Sequence, residues 1–114
     1  MSVAVAVAEA TLVAGGTAID AATDGVPGGD APEVVAHASL AVATAKVLSD
    51  PTANEVSAAL FEVGGTRSVA TDLNLHHCWR NARTRTLHDP VRCKYQHIGR
   101  ALRHDTPPPL HGVI

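Results

Sequence analysis

Aromatic side chains are nearly missing from this chain: it has one Phe, one Tyr and one Trp in 114 residues, although 46% of the residues are hydrophobic. The apolar share is mostly Ala and Val, which excludes a core built on aromatic anchors and favours closely approaching helices that need partners. Cysteine is almost as scarce. Cys78 and Cys93 lack CxxC spacing, so a secreted disulfide scaffold is not expected, and reduced thiols in a cytoplasmic protein are. The N-terminal run VAVAVAEATLVAGGTAIDAA has no basic residues ahead of it, and Glu9, Asp20 and the Gly15-Gly16 pair interrupt it. Neither a signal peptide nor a membrane span is expected there.

Length sets a further limit. A chain of 114 residues is one domain, too small to hold a cofactor-binding fold and a separate substrate domain, so a single module or a fragment is expected. Positive charge is absent from most of the first half. Residues 1–66 carry one Lys against eight carboxylates, and residues 67–114 carry eight Lys or Arg against three, so a net charge of −2 hides halves of −7 and +5. The second half should attract an anion, either nucleic acid or a phosphorylated cofactor. Nucleic acid is disfavoured, because stacking aromatics and a recognisable motif are missing.

The pattern along the chain is helical, with no internal repeat. Residues 3–23 alternate Val with Ala, the best helix former, and have no second strand-like run to pair with, so a helix is expected, with Gly15-Gly16 a weak or closely packed point. Asp24–Gly29 is a loop by its Gly and Pro content. Asp30 and Glu33 make a capping-box pattern ahead of Val34, Ala38, Ala41, Ala45 and Leu48, which share one helical stripe. His37 and Lys46 lie off that stripe and carry no assigned role. Pro51 either kinks a long helix or caps a new one. Val56, Ala59, Leu60 and Val63 continue the spacing to Gly64-Gly65, where the helix should end.

Thr66–Leu73 is expected to be a connection, and Asn74 a cap for a short helix over about residues 75–85. Asp89-Pro90 marks another helix start, with Asp at the cap and Pro in the first turn. Val91, Tyr95, Ile98 and Leu102 form its apolar stripe, and Thr106–Pro109 should run extended over a surface. Together these elements predict an all-α, antiparallel helical bundle.

Two segments can carry chemistry. Gly64-Gly65 leaves backbone N–H groups unobstructed, and Arg67 adds a planar charged fork suited to phosphate, although a double glycine is also an ordinary helix C-cap. His88 sits at a junction between two helices, where a group that titrates near neutrality can donate or accept a proton. His76, His77, Cys78, His88 and Cys93 have no short-loop ligand spacing, and no metal site is expected among them.

The stretch Ala58–Tyr95 holds the only Trp and most of the positive charge. With its Gly64-Gly65 helix end, Arg80-Asn81-Ala82-Arg83 and Thr84-Arg85-Thr86-Leu87-His88-Asp89-Pro90, it resembles the C-terminal helical domain of the acyl-CoA dehydrogenase superfamily. The last segment is similar to the flavin-dependent monooxygenase branch that acts on organosulfur compounds. The likeness covers residues 33–114. It implies a chain lacking an N-terminal helical domain and a middle β domain, in a family that forms homotetramers. It also implies an FMN or FAD cofactor contacted by Gly64, Gly65, Thr66, Arg67 and His88, with His88 handling protons. The implied reaction is oxygenation of a small organic substrate by O2, with reduced flavin from a separate reductase and no membrane partner.

The alternatives are a non-catalytic truncated module that oligomerises, and a true acyl-CoA dehydrogenase domain. Dehydrogenation needs a carboxylate base, commonly a Glu in this region, and no Glu follows Glu62. Arg85 and Cys93 stand where the oxygenase branch commonly has His and Trp, and Pro51 interrupts a helix that the family keeps continuous.

Overall fold

The computed structural model describes residues 2–23, 27 and 31–109. Four α-helices and a short 3-10 helix make up its regular structure: α1 (Ser2–Thr23), α2 (Pro32–Gly64), the 3-10 turn Gly65–Val69, α3 (His76–His88) and α4 (Val91–His104). The described residues contain no strand. The all-α expectation therefore holds, and α2 is the spine. At 33 residues it runs roughly 50 Å at the standard helical rise, matching the 53 Å long dimension of the molecule. Helices α1, α3 and α4 each pack on it.

The core is made of small side chains: Ala8, Ala18, Ala38, Ala43, Ala45 and Val47. Small residues let helix axes come close, and Gly15 lies at the α1–α2 crossing, where an added Cβ would meet the Ala41 carbonyl oxygen and the Ala45 Cβ at 3.8 Å. Gly16, by contrast, faces open space. Burial on α2 is wider than the single stripe expected. Ala43 and Val47 are buried beside Ala38 and Ala45, while Leu48 is exposed, because α2 is contacted from several sides at once. Helix α1 is long and apolar enough, by length and composition, to cross a membrane. Here it lies along α2 and leaves Val3, Leu12 and Val13 exposed.

The starts of α3 and α4 depart from expectation. The loop over Asp24–Gly29 and the cap role of Asp30 fall largely outside the described residues; the N-cap of α2 is Ala31, and Pro32 opens the helix. Pro51 sits inside one long α2, in line with the first of its two expected placements, and caps no new helix. Asn74 is not the N-cap of α3. It takes a left-handed backbone (φ 50) that Asn tolerates, its carbonyl accepts the His77 N–H at 3.1 Å, and Leu75 becomes the cap. Pro90, not Asp89, caps α4, since the Asp89 carboxylate is drawn to lysines instead.

The expected α4 stripe is also corrected. Tyr95 and Leu102 are 58% and 84% exposed, and the half-buried positions are Val91 and Ile98 of that stripe together with Cys93, Lys94, His97 and Ala101. The tail behaves as expected: Thr106–Pro109 has no regular structure, and Pro108 is buried.

The Gly64-Gly65 turn has a steric basis. A Cβ on Gly64 would approach the Ser68 Cβ to 2.8 Å, and Gly65 has φ 58 with ψ −153, a combination essentially restricted to glycine. Ser68, 1% exposed, donates its hydroxyl to the Gly65 carbonyl. Gly65→Ala is expected to destabilise the chain by about 1–3 kcal/mol. Gly16→Ala, in open helical space, is expected to stabilise it by about 0.5–1 kcal/mol. Urea unfolding of the two variants checks both signs.

Candidate functional site

Residues in the last two turns of α3 build the site. Asn81, Thr84, Arg85 and His88 are three or four positions apart, so they share one face of the helix, and that face lines a cleft of about 710 Å³ against α1 and α2. The opposite wall is largely aliphatic, from Leu12, Ile19, Val42 and Ala45, with Gly15 and Gly16 at its base. Lys46 and Ser49 enter from α2. Asp89 also lines the cleft, so one side is polar, with Lys46 and Arg85 against a single carboxylate, and the other is apolar. Arg80 and Arg83 lie on another face of α3 and do not line the cleft.

An ion chain fixes this geometry. The Lys46 ammonium donates to Asp50 Oδ2 at 2.8 Å and lies 4.0 Å from Asp89 Oδ2, which also meets Lys94 Nζ at 3.3 Å. The Lys46 and Asp50 side chains are 11% and 5% exposed, so this pair is shielded from solvent, whereas the Asp89 side chain is 47% exposed. Asp50 is braced further, as its backbone carbonyl accepts the Asn54 side-chain amide at 3.0 Å. The chain pins the α3–α4 junction to the middle of α2. His88, next to Asp89, is positioned as a consequence. Arg85 makes no ion pair among the described residues, which leaves its guanidinium available to an anion in the cleft.

Of the residues expected at a site, only His88 lies in this cleft. Gly64, Gly65, Thr66 and Arg67 lie at the far end of α2, with Thr66 and Arg67 exposed. From Lys46, level with Asp89, to Gly64 is about 18 helical residues, roughly 27 Å. The two segments expected to share a site are therefore set well apart along α2. Lys46, Ser49, Asn81, Thr84 and Arg85 were not anticipated. The spacing of residues 81, 84, 85 and 88 was the available signal, as was Lys46 being the one cation in residues 1–66. Cys78 and Cys93 are free thiols, and no three His, Cys, Asp or Glu side chains converge on a metal position among the described residues.

Similarity to known proteins points to one class: the relatives are monooxygenases by name, and one is FMNH2-dependent by name. A probable FMNH2-dependent monooxygenase of Pseudomonas putida, SfnC, is 40% identical over 70 residues, which is 61% of this chain and 18% of that protein. The dibenzothiophene monooxygenase of Mycolicibacterium goodii is 39% identical over 54 residues, 47% of this chain and 13% of its own length. One from Rhodococcus erythropolis is 36% identical over 74 residues, 63% and 18% respectively. The chain spans less than a fifth of the length of these curated relatives. No family model matches the chain, and no solved structure matches it. The monooxygenase resemblance carried by the Thr84–Pro90 segment therefore agrees with its similarity to curated proteins.

Removing Lys46 leaves Asp50 buried without its counter-ion. Lys46→Met is expected to cost about 3–5 kcal/mol in urea unfolding. The double variant Lys46→Met with Asp50→Leu should regain most of that loss. Equal stability of the single and double variants would show that the ion pair does not anchor the fold.

Proposed function

We propose that this chain is the C-terminal helical module of a flavin-dependent monooxygenase that oxygenates a small organosulfur or related organic compound with O2. The observation that carries this reading is the cleft: His88 and Arg85 face an aliphatic wall across it, in a chain 36–40% identical to monooxygenases over its matching segment. That donor set fits a flat ring system with a polar edge, and FMN is the cofactor proposed, with FAD a variant of the same reading. Reduced flavin, when bound, supplies the electrons that activate oxygen.

The chain's own residues do the rest. The Arg85 guanidinium stabilises negative charge at the cleft's polar edge, and His88 Nδ1 or Nε2 gives or takes the proton that accompanies oxygen transfer. The aliphatic wall excludes water and accepts an apolar substrate. In this reading Gly64, Gly65, Thr66 and Arg67, at the far end of α2 from the cleft, serve as a second flavin contact to a flavin held by another copy. This reading therefore includes a homo-oligomer, N-terminal and middle domains supplied outside this chain, a separate flavin reductase and a cytoplasmic setting, with neither membrane nor nucleic acid as partner. The same distance, together with the exposed apolar residues of α1, favours the second reading: a non-catalytic module that only associates.

Titration of the purified chain with FMN, followed by flavin fluorescence, separates the two readings. The chain alone should bind flavin weakly and show no turnover with reduced flavin and dibenzothiophene, since most of the site is absent. Grafted onto the N-terminal portion of a relative, it should support turnover that His88→Asn lowers by roughly 10²- to 10⁴-fold at unchanged melting temperature. Arg67→Ala should instead weaken flavin binding by about 1.5–3 kcal/mol and spare turnover at saturating flavin. Turnover unaffected by His88→Asn rules out the catalytic assignment.

A further inference from the structure

A second cavity adjoins the His88 cleft and shares two of its walls, Ile19 of α1 and Val42 of α2. It measures about 350 Å³. Ala22, Val35, Ala38 and Ala43 form its aliphatic sides, and Pro108 and Pro109 lie across it from the tail. We propose that this chamber is a binding site for a compact apolar carboxylate, a single ring bearing one anionic group, held by Lys94 and His97.

Charge is the first ground for this assignment. No carboxylate lines the chamber among the described residues, and its charged or titratable groups are Lys94 and His97, three positions apart on one face of α4. The Lys94 side chain is 17% exposed and makes one ion pair, with Asp89 at 3.3 Å. An ammonium has three donors, so two are left for a ligand. A mostly buried ammonium beside aliphatic walls is poorly hydrated, which favours an anion over water there.

The proline segment is the second ground. Asp105 takes a left-handed conformation (φ 49), its N–H bonding the Ala101 carbonyl at 3.1 Å, and this turns the chain back after α4. Pro108 is buried although it belongs to no helix. Restricted proline backbone loses little entropy when held in place, so the strap is a durable wall. A cavity of roughly 150 Å³ takes one benzene ring, and the chamber has room for such a ring with a carboxylate. The site needs no flavin, so it stands or fails separately from the monooxygenase reading.

Benzoate is the probe, titrated into the full 114-residue, ¹⁵N-labelled chain with amide shifts as readout. Saturable shifts are expected at Val35, Ser39, Ala43, Lys94 and His97, with none at the exposed Val63 and Leu102. Benzylamine, of the same size and opposite charge, should produce none. Lys94→Met should weaken benzoate about tenfold or more, the loss of a charged hydrogen bond, and Lys94→Arg should restore most of it. Val35→Phe, which fills the chamber, should abolish binding with a folded spectrum retained; Ala22→Leu fills it from the other side. Non-saturating shifts spread over the exposed face of α1, equal binding of benzylamine, or benzoate affinity unchanged in Lys94→Met and in the filling variants would each overturn the proposal.

Discussion

Lys46 is the one cation in the first 66 residues, and the arrangement of the other helices depends on where its charge goes. Its ammonium is held between Asp50 on its own helix and Asp89 at the α3–α4 junction. An ion pair this shielded is a poor source of net stability, because desolvation offsets most of the attraction. Its contribution is positional. An Ala-rich core has little shape to key one helix to another, since each small side chain buries little area and interlocks weakly. A charged contact with one acceptable geometry supplies the register that alanine packing does not.

Helix existence was legible in the sequence because it rests on local physics. The Ala-rich runs lie inside α1 and α2, the glycine pair ends α2 and the Asp-Pro pair falls between α3 and α4; each signal acts within a few residues. What failed were inferences about which face of a helix meets a partner. The Leu48 stripe assumed one contacting neighbour where α2 has several. The Tyr95 and Leu102 stripe assumed that large apolar residues turn inward, whereas the inward face is set by Lys94 reaching Asp89. Asp89 resembled an N-cap by its type and its proline neighbour. Lys94, five positions on, and Lys46, from a distant helix, share the same carboxylate, and sequence spacing does not weigh that competition.

The candidate site divides along the same line. His88 stood out from its setting between two helices, and the structure places it in a cleft. Its companions Arg85 and Asn81 were visible as a helical face but were overshadowed by Arg80 and Arg83, which belong to the resembled motif and lie elsewhere. Lys46 and Ser49 come from a helix about 40 positions earlier, and nothing in a linear pattern joins them to residue 88.

The separation of the two flavin-type segments follows from the length of α2. Held at its middle by the Lys46 chain, a helix of 33 residues must carry its terminal Gly64–Arg67 turn away from the His88 cleft. No loop rearrangement can undo this, because roughly 27 Å of rigid helix intervenes. If both segments serve one cofactor, association supplies what folding does not. Two copies placing their spines side by side in opposite directions would bring the turn of each toward the cleft of the other, as a two-fold contact requires. The exposed apolar residues of α1 and the small side chains of the core then have a common explanation. A module that gains its remaining contacts from another copy can fold with few large side chains of its own, at the expense of leaving apolar surface open when it is alone.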